Sequence, residues 1–127
     1  MNVETLALTA DDWRRWRDRL TTVPHNLVLV RDGTDVGMVS LTAPGGGGPP
    51  ELISLWVAPQ ARGTGVGDAA VEAVLALAAA AYPGQGVVLS VHADNVAARR
   101  LYAGHGFVDA GPSPDDPGAL RLVHDIT

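Results

Sequence analysis

Apolar and polar positions change period several times along the chain, and each change marks the start of a different element. Residues 3–8 read as a short strand. Thr9-Ala10-Asp11-Asp12 is a helix-start signal, after which Trp13, Trp16 and Leu20 fall on one helical face. Residues 26–31 are apolar and β-branched, Asp32-Gly33 is a hairpin signal, and residues 36–41 continue as the second arm. The run PGGGGPP, 44–50, suits neither strand nor helix and reads as a hairpin loop before a strand over 51–57. Residues 65–82 form a long alanine-rich helix with only Asp68 and Glu72 as charges, stopped by Pro83-Gly84. A strand follows over 86–92, then a shorter helix opened by Asp94-Asn95 and ending at Gly104, then closing strands over 107–110 and 120–126. The order β-α-β-β-β-α-β-α-β-β predicts an α/β fold, a mixed sheet with helices on its faces.

Composition narrows the function more than the fold. A chain of 127 residues, 46% hydrophobic, fits one domain over 1–127 with a real core. It has no cysteine, which excludes disulfides, thiol nucleophiles and thiolate metal sites. The four histidines lack the spacing of a metal site, so no metal is expected. All nine basic residues are arginine, so no step can use a lysine of this chain, and the net charge of −5 disfavours nucleic acid as a partner. The aspartates within DDWRRWRDRL mark a solvated helix face rather than an RNA-binding one. No leader pattern or membrane-length apolar run is present, which predicts a cytoplasmic protein with no membrane partner.

The stretch WVAPQARGTGVGDAAV, 56–71, carries an arginine and three alternating glycines into the long helix. Glycine at every second position clears each Cβ from a concave backbone and leaves N–H groups free for an anion. A Walker phosphate loop needs a lysine, and this chain has none. Gly65-Val66-Gly67-Asp68-Ala69-Ala70 does match the dinucleotide pattern G-x-G-x-x-A, but it follows the fourth strand where a Rossmann half places it after the first. A plain strand-to-helix packing turn also fits this stretch alone.

A second stretch, NVAARRLYAGHGF over 95–107, separates these readings. Asn95, Ala98, Leu101, Tyr102, Gly106 and Phe107 form N-x-x-A-x-x-L-Y-x-x-x-G-F, and Arg62 to Gly67 form R-x-x-G-x-G upstream of it. The pair resembles the GNAT superfamily of acyl-CoA-dependent N-acetyltransferases. The resemblance covers residues 26–126 and implies a single-domain, mostly antiparallel mixed sheet with helices on both faces. Between the first two strands the chain has room for about one helix where the family has two, so the N-terminal helical region is shortened and the wall of the acceptor pocket with it.

What the resemblance implies about the site can be checked against the chemistry of each residue. Backbone N–H groups of Arg62, Gly63, Thr64, Gly65, Val66 and Gly67, at the positive end of the helix, suit the pyrophosphate of acetyl-CoA, with the Arg62 side chain as a charged donor. Leu55 and Val57 would pair through their backbones with the pantetheine arm as an added strand does. Asn95 is both a helix N-cap and a cofactor-side contact. An alkyl ammonium with a pKa near 10.4 is neutral in only about one molecule in 2,500 at pH 7, so a base must assist. Glu51 is the candidate, acting through water, with His92 in reserve. Tyr102 is the candidate acid for the departing thiolate. The expected activity is transfer of acetyl from acetyl-CoA to a primary amine, on a small molecule or a protein amino group, by direct attack in a ternary complex. A non-catalytic or degenerate acyl-CoA-binding module and a nucleotide-binding domain of another type are the rivals. The apolar girth of the long helix also suits a homodimer.

Overall fold

The computed structural model describes residues 3–7, 23–114 and 116–125. The helix start at 9–12, Trp13, Trp16, Leu20 and the shortened N-terminal region lie outside the described residues. Strands β1 (Val3–Ala7), β2 (His25–Arg31), β3 (Thr34–Leu41) and β4 (Leu52–Val57) form one antiparallel sheet in chain order. A 3-10 turn, Pro59–Ala61, leads into helix α1 (Val66–Ala81). Then come β5 (Val87–His92), helix α2 (Val96–Gly104), β6 (Val108–Pro112) and β7 (Ala119–His124), the strands forming a second antiparallel sheet in the order β5-β7-β6.

Local chemistry accounts for most of these boundaries. Asp32 and Gly33 both take positive φ, 51° and 78°, as the tight turn between β2 and β3 requires. Gly65 caps α1 at φ 92°, a conformation that costs glycine little, and Pro83 follows the last turn. Asn95 caps α2 by accepting the Ala98 N–H at 3.2 Å. Val66, Ala70, Val71, Val74 and Ala78 form the buried stripe of α1. It joins Leu29, Val39 and Leu41 of the first sheet and Val87, Leu89 and Val91 of the second in one shared core, with the helix lying mainly against the first sheet.

The expected element order holds through the described residues; the structure adds a division of the sheet that no periodicity announces. Strands β4 and β5 run parallel and are joined at one end only, by the bridge between Glu51 and Val88, where the Val88 N–H donates to Pro50 O at 3.0 Å. Beyond that point β5 pairs with β7 alone, leaving the facing edge of β4 open. A bulge in β4 sits on the same edge: Ser40 faces Ile53 and Met38 faces Trp56, so Ser54 and Leu55 together oppose Val39. Ser54 takes φ 58°, unusual for a residue with a side chain.

Alternation fixes which residues look which way. A Cβ on Gly37 would meet Val66 of α1 at 3.2 Å, so Gly37 and its partner Val57 lie on the α1 face, and Leu55 and Val57 pack against the core there. Leu52 is in that core too, which turns Glu51 and Ile53 to the opposite face, joined after the bulge by Trp56. Ser90 and His92 of β5 alternate with core residues and share that opposite face.

Candidate active site

At the open end of the split lies a cavity of about 490 Å³ on the α1 side, lined by Val57, Arg62, Gly63, Gly65, Gly67 and Asp68 and by Ala97, Ala98 and Leu101 of α2. Its polar wall joins backbone groups of the loop to the side chains of Arg62 and Asp68. With Gly65 as a cap that offers no side chain, the first N–H groups of α1 have no intrahelical acceptor and point out at the helix's positive end. The three glycines do not share one purpose, which corrects the sequence reading. Gly63 (φ 75°) and Gly65 (φ 92°) supply left-handed backbone with open space where a Cβ would be. Gly67 also lines the cavity, but a Cβ there would meet Leu101 Cδ2 at 3.1 Å, so its bareness lets α1 and α2 approach.

Side chains brace this loop. Thr64 Oγ1 donates to Ala61 O and accepts from Arg31 Nη1 at 2.8 Å, tying the loop to the end of β2. Arg62 Nε donates to Val57 O at 3.2 Å, returning the loop to the end of β4. Asp68, in the first turn of α1, meets His105 Nε2 at 2.8 Å, so the residue after α2 is pinned to the start of α1. No local pattern marks the roles of Arg31 and His105, whose partners Thr64 and Asp68 are 33 and 37 residues away.

The open edge of β4 can be read from its pairing. Ala58 N–H donates to Val36 O at 2.8 Å, so the neighbouring Gly37 and Val57 form a non-hydrogen-bonded pair. The N–H and C=O of Val57 therefore point away from β3, into the split. The cavity thus combines the free N–H groups of a helix start with an unpaired strand edge, groups of the kind that phosphates and amides pair with.

The sequence model of the Acetyltransferase (GNAT) family matches residues 3–107. The chain belongs to the GNAT family. Members are acyl-CoA N-acyltransferases that use acetyl-CoA, and this protein is an acetyltransferase of that kind. No curated protein matches the sequence. Among solved structures, Ard1 from Thermoplasma volcanium superposes with a TM-score of 0.80 at 20% identity, covering 100% of this chain and 99% of its own. The ribosomal-protein-S18-alanine N-acetyltransferase from Escherichia coli gives 0.75 at 18%, covering 99% and 95%. A Bacillus anthracis protein named for streptothricin acetylation, solved with acetyl coenzyme A, gives 0.82 at 12%, covering 98% and 100%. At these identities the likeness concerns the fold.

In this GNAT chain the remaining expected residues are dispersed. Tyr102, on α2 next to the cavity residue Leu101, is only 7% exposed and packs edge-on against Phe107 with ring centroids 5.7 Å apart. Its hydroxyl has no hydrogen-bond partner among the described residues. Burial pushes its pKa up to about 12. Glu51 sits half-buried at the closed end of the split, its N–H donating to Thr42 Oγ1 at 2.9 Å. His92 ends β5 at the open end, with Nε2 3.3 Å from Asp116 Oδ2. Trp56, near the open end of β4, is 47% exposed. No helix among the described residues is long and apolar enough to cross a membrane, and no cluster among them is suited to a metal ion.

Proposed function

We propose that this acetyltransferase transfers acetyl from acetyl-CoA to a primary amine by direct attack in a ternary complex. The observation that carries the proposal is the split between β4 and β5. Its α1 side holds the anion-binding cavity, and its other side carries Glu51, Trp56 and His92, so donor and acceptor can approach one carbon from opposite sides of the split. Bound acetyl-CoA supplies the activated acyl carbon. The amides of the loop and of the α1 start hold its diphosphate, and the edge of Leu55 and Val57 takes its amide arm. The bulge at Ser54 and Leu55 leaves backbone groups out of the ladder beside that edge, a site for a donor to the acyl oxygen.

Glu51 takes the proton from the acceptor amine. It lies four positions before Leu55, roughly 13 Å along a strand, so the proton travels through water. His92 is a second base, favoured by one observation: counted from the Glu51–Val88 bridge, it stands level with the bulge-side end of β4, and Asp116 steadies its ring. Tyr102 serves the leaving sulfur. A phenol near 12 gives its proton to a thiolate of ordinary pKa near 8.5 only uphill, by roughly 5 kcal/mol, so it acts by donating a hydrogen bond. The acceptor is a small-molecule amine or a protein amino group. The exposed end of α1, with Ala76, Ala79, Ala80 and Ala81 outward, is where a homodimer would form.

The test is a pH profile of thiol release in an amine panel. Glu51→Gln is expected to lose turnover most at neutral and acidic pH and to recover toward pH 10, where the amine is already free, with donor affinity unchanged. If His92→Gln shows that pattern and Glu51→Gln does not, the base is His92. Acetyl-CoA binding without thiol release from any amine would make the chain a binding module.

A further inference from the structure

We infer that Arg62 gates the open edge of β4 and thereby makes the site select thioesters that carry a diphosphate over those that lack one. The inference rests on the proposed donor site, in which the loop holds the diphosphate and Val57 pairs with the amide arm. It concerns what the same arginine does when the diphosphate is missing.

The Val57 carbonyl points into the split, where an incoming amide would have to donate to it, and that carbonyl already accepts from Arg62 Nε at 3.2 Å. The side chain that closes the edge belongs to the anion-binding loop itself, and among the described residues lining the cavity it is the one cation. A carbonyl oxygen has two lone pairs, but a planar guanidinium bonded to it at the open edge competes with a strand-like ligand for the same acceptor. Nothing on the β3 side can substitute, because Val57 is turned away from β3.

A diphosphate changes the balance. Hydrogen bonds from a guanidinium to a phosphate join two charged groups and are about twice as strong as those between neutral partners, and phosphate matches the planar fork of arginine. An arriving diphosphate at the Gly63 and Gly65 backbone therefore draws Arg62 from Val57 O and frees the edge for the arm that follows. A thioester ending at pantetheine offers no such exchange: it has to displace a charged donor from a carbonyl and gives that donor only water in return. One side chain thus assists the complete donor and obstructs the truncated one, so removing it should shift the two affinities in opposite directions. An arginine that only bound phosphate would weaken the first and leave the second unchanged.

The experiment measures binding of acetyl-CoA and of S-acetyl-pantetheine to the full chain by titration calorimetry, in wild type, Arg62→Ala and Arg62→Met. Methionine keeps the aliphatic stem should alanine disturb the loop, and circular dichroism checks each fold. Acetyl-CoA is expected to bind about ten-fold more weakly to both variants, and acetyl-pantetheine about three- to five-fold more tightly, as loss of a partly exposed charged hydrogen bond implies. Acetyl-pantetheine affinity that is unchanged or reduced in the folded variants, with acetyl-CoA still bound by wild type, overturns the gate alone. If wild type binds neither ligand, the donor site itself is wrong.

Discussion

Tyr102 is a packing residue to which the proposed mechanism gives a second role, a hydrogen bond to the leaving sulfur. Burial among Phe107 and the core raises its pKa to about 12, which keeps the phenol neutral in the folded chain well above its unfolded value near 10. The folded state then holds a proton that the unfolded state has lost, so the contribution to stability is complete below pH 10 and disappears as pH rises through 12, by about 2–3 kcal/mol. Because the chain has no lysine and only two tyrosines, few groups titrate in that window. An ultraviolet titration of tyrosinate should show Tyr102 ionising late, and Tyr102→Phe should remove the alkaline loss in denaturant melts. The same variant should lower kcat by about 10²-fold with little change in the acetyl-CoA KM, as expected for a hydrogen bond that strengthens with charge on sulfur. Normal turnover would leave Tyr102 a packing residue.

At the scale of elements, the bulge in β4 is where strand propensity and the structure part company. Ser54 lies in a stretch that reads as strand throughout, yet its φ of 58° is left-handed. Ser54→Val, which propensity alone favours, should therefore destabilise the protein by about 1–2 kcal/mol, whereas Ser54→Asn should be tolerated; urea midpoints compare the two. The difference shows what the sequence could reveal. Strands, helices and caps were legible because each is written in neighbouring residues: the turn at Asp32-Gly33, the cap at Asn95 and the stripe on α1. The loop before α1 is legible as well, since glycine and arginine at fixed spacing are local features. Bulge and split are not local, because they depend on how β4 counts against β3 and on β5 pairing with β7 instead. For the same reason no local pattern marks Arg31 or His105, or the contact of Gly67 with Leu101, 34 positions later.

Across the whole molecule, two antiparallel sheets share one core through α1 but exchange strand hydrogen bonds only near Glu51 and Val88. A donor lying along β4 would fill the gap as a missing strand does, so binding should stiffen the protein far from the phosphates. Hydrogen exchange of the Val57 amide and of amides in the 62–68 loop should slow when acetyl-CoA is added, while amides in the β5–β7 ladder, already paired, should change little. A thermal midpoint that rises with ligand concentration gives the same result globally, with about 2.7 kcal/mol expected at one hundred times Kd. Slowed exchange confined to the loop would place the ligand on the surface and not in the split.

The bracing of the loop by Arg31, with Arg62 beside it, bears on the protein's own chemical durability. An acetyl thioester is an electrophile toward any free amine, whether or not that amine is the intended acceptor. A guanidinium stays protonated at every pH the protein meets, and its delocalised nitrogens are poor nucleophiles. Since the chain contains no lysine, it offers its own donor no side-chain amine to consume, at the loop or anywhere else. Repeated turnover beside such a reagent leaves the anchoring charges of the loop intact, where lysines in the same places would be acylated one by one and lose their charge.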